Sequence, residues 1–161
     1  MTQVALSSHP GHAALRRGRC SIPGQVYLVT TTTFARQPLF ARWPVGVAVA
    51  REVGGRRLWR GNQLHAWVLM PDHMHLLLTL NSDESLSHLM TRVKAVSARA
   101  ARSVTKSDAR IWADAFHDHA LRRDEQVAVA AGYILDNPVR AGLVDDRWRW
   151  SFWDSEWLSE P

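Results

Sequence analysis

The chain has 161 residues, 46% of them hydrophobic, which is enough for one domain with its own core. Twenty lysines and arginines against fifteen acids give a net charge of +5 with histidines neutral, and every cation except Lys94 and Lys106 is an arginine, the side chain best suited to phosphate. A single cysteine, Cys20, excludes an internal disulfide framework and a cysteine-rich zinc site, and no apolar stretch approaches the roughly 20 residues of a membrane span. No secretory leader is legible in the first twenty residues, so a cytoplasmic protein is expected.

Residues 1–24 mix Ser, His, Pro, Gly and Arg without periodicity and read as a flexible basic arm carrying Arg16, Arg17 and Arg19. The run from Val26 to Phe34 is dense in β-branched and aromatic residues and predicts the first strand. Trp43–Val53, with Pro44 near its start and Gly54-Gly55 beyond its end, predicts a helix. Leu64–Met70 and His73–Leu80, separated by Pro71-Asp72, predict a hairpin.

A longer helix is expected over Ser85–Thr105, with the apolar stripe Leu86, Leu89, Met90, Val93, Val96 and Ala100. Arg92, Arg99, Arg102 and Lys106 form a basic row on another side of it, spaced to track phosphates. Ile111–Phe116 is expected to be a fourth strand, and Asp124 the cap of a helix from Glu125 to about Asp136. No element is assigned to Trp148–Trp157. Its Trp148, Trp150, Trp153 and Trp157 read first as residues packing a tail onto the domain, and second as platforms for unpaired bases. The element order predicts an α+β, ferredoxin-like split βαβ sandwich, with an antiparallel sheet, helices on one face and an extra C-terminal helix.

Strand alternation sends Met74, Leu76, Leu78 and Leu80 to the core face, so His73 and His75 share the other. Two imidazoles at i and i+2 stand close enough to chelate one ion. An arbitrary H-x-H is more often a half-exposed strand pair; the clean division of faces shifts the reading toward a metal site without deciding it. The chain has two tyrosines. Tyr27 lies in the first strand and reads as structural, whereas Tyr133 lies in a helix of small residues with Asn137 four positions on, where the two share a face. Asn137-Pro138 followed by Gly142 equally fits the cap, first residue and stop of a short further helix, so the role of Asn137 is open between these readings.

Met70-Pro71-Asp72-His73-Met74-His75-Leu76-Leu77, then Phe116-His117-Asp118-His119-Ala120-Leu121-Arg122, then Tyr133 to Val144 (YILDNPVRAGLV) together resemble the REP-associated tyrosine transposases. These are a branch of the single-tyrosine HUH transposases of insertion sequences, and the likeness runs from about Gln25 to Trp153 in family order. The resemblance implies a catalytic domain over 25–147, flanked by the basic arm and a Trp-rich tail over 148–161. It implies a metal-dependent enzyme that cuts and rejoins single-stranded DNA at the hairpins of repetitive extragenic palindromes. Tyr133 would attack the phosphodiester, giving a 5′-phosphotyrosine and a free 3′-hydroxyl. His73 and His75 would hold Mg or Mn, with Asn137 as third ligand where insertion-sequence relatives carry a glutamine. His117, Asp118 and His119 are further candidates for metal or DNA contact. Arg122 and Arg123 join Arg92, Arg99, Arg102, Lys106, Arg16, Arg17 and Arg19 as expected DNA contacts. No membrane partner is expected. Whether one chain completes the active site or two copies do stays open, so a homodimer is among the partner readings. The competing reading is a noncatalytic module for single-stranded nucleic acid on the same fold.

Overall fold

A computed structural model describes residues 21–122 and 126–158. The basic arm with Arg16, Arg17 and Arg19, as well as Cys20, Arg123 and the expected cap Asp124, lies outside the described residues. In chain order the elements are β1 (Gln25–Thr32), α1 (Trp43–Val53), α2 (Arg56–Trp59), β2 (Gln63–Leu69), β3 (His73–Leu80), α3 (Leu86–Thr105), β4 (His117–Ala120), α4 (Val127–Leu135), α5 (Asn137–Arg140) and β5 (Trp153–Ser155). All paired strands run antiparallel in the order β4-β1-β3-β2-β5. The first four follow the order of a split βαβ sandwich, so the expected α+β class holds.

One face of the sheet carries the main core. Val29 of β1, Trp67 and Leu69 of β2, and Met74, Leu76, Leu78 and Leu80 of β3 pack against Val45, Val49 and Val53 of α1 and Leu89, Met90 and Val93 of α3. The period-2 pattern of the strands and the 3–4 spacing of the helices meet there, as burial of one side of each element demands. Ser85 caps α3 by accepting a hydrogen bond from the His88 amide at 3.2 Å, and Lys106 ends it in the left-handed conformation.

The second face carries α4, the expected extra C-terminal helix. Ala131, Ile134 and Leu135 of α4 are buried against Ala66 and Val68 of β2, Leu77 of β3 and Met70. The sequence Val127-Ala-Val-Ala-Ala is apolar nearly all round with small side chains, so it lies close on a sheet while still offering apolar surface to solvent. Full burial of Ile134 and Leu135 contributes about 1.5–3 kcal/mol each to holding α4 down.

The fourth strand lies elsewhere than expected. Ile111 and Trp112 are core residues in a loop, joined to the end of β1 by an isolated Thr33–Trp112 bridge instead of a strand ladder, with Trp112 Nε1 donating to Ser97 Oγ at 2.9 Å. The real β4 is the polar His117–Ala120, an edge strand on β1 that is exposed on most of its length. Its side chains reach no core and so carry no strand-like apolar alternation.

The Trp-rich tail packs onto the domain. β5 pairs with the free edge of β2, Trp150 Nε1 donates to the Leu69 carbonyl at 3.0 Å, and the Leu69 amide donates to the Phe152 carbonyl at 2.8 Å. The Phe152 ring lies tilted against that of Trp43, centres 4.9 Å apart, and over Gly46 of α1. A Cβ at Gly46 would come 2.6 Å from a Phe152 ring carbon and 3.0 Å from the Phe40 carbonyl oxygen. Gly46→Ala gains at most about 1 kcal/mol of helix propensity, whereas overpacking against a ring and a backbone oxygen costs about 1–3 kcal/mol. The overlap wins, and urea unfolding of Gly46→Ala should show a net loss of stability.

Candidate active site

His73 and His75 follow the Pro71-Asp72 turn, and the register fixes what surrounds them. Thr32 stands opposite His73, while Thr30 and Val68 flank His75 and His117 lies beyond Thr30. Directly paired residues of an antiparallel sheet share a face, so His73, His75, Thr30, Thr32 and His117 stand on the face that α4 partly covers. His119, two residues after His117, joins them opposite Leu28.

The two rings lie 4.9 Å apart, edge to face. His73 Nδ1 is 2.6 Å from Asp72 Oδ1, and His75 Nδ1 is 2.8 Å from Thr30 Oγ1. A proton on each Nδ1 satisfies both bonds and leaves each Nε2 with its lone pair. This is the arrangement in which a carboxylate or hydroxyl behind an imidazole fixes its tautomer for metal binding. The donor set therefore fits a divalent ion. Among the described residues no three His, Cys, Asp or Glu side chains gather as a complete metal cage, so a bound ion would take its other positions from an amide, water or phosphate.

Burial pushes the His75 pKa from 6.5 down to about 4, helped by the neighbouring His73 and by the charge of Arg140. Both imidazole nitrogens of His75 thus stay free of extra protons well below neutrality. The unfolded chain takes up a proton on His75 as pH falls through 6.5 while the folded chain does so only near 4, so metal-free stability should decline across that window. Urea titrations in chelator should show this slope flattened in His75→Asn.

Tyr133 sits on the exposed side of α4, with 61% of its surface open. It edges an apolar groove of about 480 Å³ lined by Leu28, His119, Leu121, Gln126, Val129 and Ala130. Leu28 lies two residues before Thr30 on the same strand face, so the phenol and the histidine pair occupy one side of the sheet. The Arg140 guanidinium lies 4.0 Å from the centre of the Tyr133 ring and donates to the Tyr133 carbonyl at 2.7 Å.

Asn137 opens α5 instead of capping it: Asp136 precedes the helix, and Gly142 ends it at φ 68°. The Asn137 amide spans the α4–α5 junction, Nδ2 donating to the Ile134 carbonyl at 2.7 Å and Oδ1 accepting from Arg140 at 3.0 Å. Its oxygen is thus shared with a guanidinium.

The expected basic row divides. Arg92 is mostly buried, its guanidinium paired with Glu84 and donating to the Leu58 carbonyl at 2.9 Å, so it braces α3 against α2 and is not offered to a phosphate. Hydrogen bonds from Arg92 hold the Glu84 carboxyl below its usual range. Arg99 and Lys106 are exposed, and Arg102 donates to the Ala109 carbonyl at 3.2 Å. All three ride on the helix layer over the opposite face from His73 and His75. Arg122 is exposed directly after β4. Thr30, Asp72 and Arg140 were not singled out by the sequence pattern, although Asp72 and Arg140 lie inside its motifs.

A family model described as transposase, IS200-like, matches residues 26–137, well over half of the chain. The chain belongs to this family. The matched stretch holds the histidine pair, Tyr133 and Asn137. Among curated relatives of this IS200-like chain, a REP-associated tyrosine transposase of Escherichia coli K12 is 31% identical over 91 residues, covering 56% of this chain and 52% of that protein. A putative REP-associated tyrosine transposase of Haemophilus influenzae is 29% identical over 87 residues, covering 48% and 49%. The chain matches about half the length of these relatives. A solved REP-associated tyrosine transposase bound to a REP hairpin superposes with a TM-score of 0.63 at 23% identity, over 92% of this chain and 82% of that one. A putative transposase from Deinococcus radiodurans gives 0.51 at 19% identity, over 73% and 93%. Both likenesses bear out the fold, and the named relatives bear out the resemblance to REP-associated tyrosine transposases.

Proposed function

We propose that the protein is a metal-dependent single-strand DNA nicking and joining enzyme acting on REP-type hairpins in the cytoplasm. The observation that carries this reading is the presence of the histidine pair and the exposed Tyr133 on one side of one sheet within one chain.

In the proposed reaction the Tyr133 oxygen attacks phosphorus, the P–O3′ bond breaks, and a 5′-phosphotyrosine forms with a free 3′-hydroxyl. The phenol proton passes to solvent or a neighbouring base, and the departing 3′ oxygen takes up a proton. A phenol with pKa near about 10 is a weak nucleophile at neutral pH and depends on its surroundings for activation. A Mg or Mn ion held by His73 and His75, with Asn137 as a third ligand, would polarise the phosphate and stabilise the leaving oxygen. Thr30 and Asp72 keep both imidazoles turned, and the energy kept in the phosphotyrosine link makes the step reversible, as strand joining needs. Arg122, Arg123, Arg16, Arg17 and Arg19 are the proposed phosphate contacts, and Arg99, Arg102 and Lys106, on the face away from the histidine pair, would reach only DNA that continues beyond the site.

The deciding assay incubates the chain with end-labelled single-stranded hairpin DNA and Mn or Mg on a denaturing gel. A covalent protein–DNA band that disappears with chelator is the expected result. Tight binding with no such band across varied hairpins would leave a noncatalytic binding module.

A further inference from the structure

We infer that Arg140 is a positioning residue: it latches Tyr133 to Asn137 before a divalent ion is taken up, and its release couples metal loading to freeing of the tyrosine. This rests on the nicking reading above and adds a residue to which none of the comparisons assigns a role.

One guanidinium makes three contacts at the α4–α5 junction. Its Cζ lies over the Tyr133 ring, 4.0 Å from the ring centre, and it donates through Nη1 to the Tyr133 carbonyl at 2.7 Å and through Nη2 to Asn137 Oδ1 at 3.0 Å. The planar fork of arginine is what permits stacking and two directed hydrogen bonds at once; a lysine cannot reproduce it. The junction does not depend on these contacts for its shape. Pro138 is buried, the Asn137 amide holds the Ile134 carbonyl, and the Leu143 amide closes on the Pro138 carbonyl at 3.0 Å.

Two physical conflicts make the arrangement a latch. The amide oxygen of Asn137 cannot give the same lone-pair direction to a guanidinium and to a metal ion. The positive charge of Arg140 is also felt at His75, so a dication between the histidines would repel it in a partly desolvated site. Metal uptake therefore favours guanidinium departure, which uncovers one face of the Tyr133 ring and frees a cation to meet the incoming phosphodiester. Exposed cation–π and hydrogen-bond contacts of this kind are weak enough to exchange on ion binding.

The test uses the full chain with ring-13C tyrosine and histidine. Its two tyrosines give two ring signals, and buried Tyr27 in β1 reports that the fold is intact. Mg should shift the Tyr133 signal of the wild type. In Arg140→Ala that signal should start near its Mg-loaded position, and Mg should bind about three- to tenfold more tightly because its competitor is gone. In Asn137→Ala, which removes the shared oxygen, Mg should no longer move Tyr133. Arg140→Lys should resemble Arg140→Ala in the tyrosine signal while keeping the weaker Mg affinity. If Mg perturbs the histidine rings but leaves Tyr133 unmoved, or if Arg140→Ala leaves signal and affinity unchanged, the latch is overturned while the nicking reading stands. If Mg touches neither the histidines nor Tyr133 and no adduct forms, both fall.

Discussion

A Tyr133→Phe chain should bind hairpin DNA as the wild type does and form no covalent adduct, with strand cleavage reduced by about 10⁴-fold or more. The size of the effect follows from the chemistry: the substitution removes the atom that makes the new bond to phosphorus, and raising the metal or DNA concentration cannot replace it. The cost to the fold should be small. Tyr133 is largely exposed, and a phenyl ring keeps the stacking surface under Arg140. Surface changes of this kind fall within about 0.5 kcal/mol, so the thermal midpoint should barely move. A denaturing gel with labelled DNA beside a thermal melt checks both halves, and a persistent adduct would move the nucleophile to another residue.

The second large effect is expected at His75. His75→Ala removes one of two imidazoles whose Nε2 atoms are turned outward by Thr30 and Asp72. Adduct formation at fixed Mn should drop by about 10²–10³-fold, with part of the loss recovered at high Mn, because the remaining ligand still binds weakly. Recovery by metal separates this variant from Tyr133→Phe, which no ion rescues. Thr30→Val is graded below it. It keeps the β-branched shape that β1 needs but deletes the oxygen behind His75, and a loss of about 10–100-fold is expected from such outer partners. A metal titration of adduct yield for all three variants measures the series, and an undiminished yield in His75→Ala would remove that residue from the ion site.

The main layer of the fold was legible in the sequence because each element there obeys its own period. The four apolar residues at alternate positions of His73–Leu80 have a single available face, and placing them also places both histidines. Four parts were not legible. The edge strand β4 is exposed on most of its length and buries no apolar side chain, so its pairing with β1 leaves no mark on its composition. The contact of α4 with the second face is made by Ala131, Ile134 and Leu135, in a helix so apolar all round that its pattern does not single out a buried side. Arg92 occupies the same helical row as Arg99, and only the position of Glu84, eight residues earlier and brought back by the turn into α3, decides that one braces the fold while the other faces water. Thr30 needed the β1–β3 register before its hydroxyl had any meaning.

The strand β5 has a consequence for solubility. Without it, β2 would be the rim of the sheet, and its segment Gln63–Leu69 would present open backbone donors and acceptors beside the largely buried run His65-Ala66-Trp67-Val68-Leu69. An exposed rim of that kind invites pairing with another chain and aggregation. The short tail strand, with Glu156 held to Gln63 at 2.8 Å and to His65 at 2.7 Å, seals it from within the same polypeptide. Shortening the chain after Val144 would therefore be felt first as clumping, before any change in how DNA reaches Tyr133 could be read.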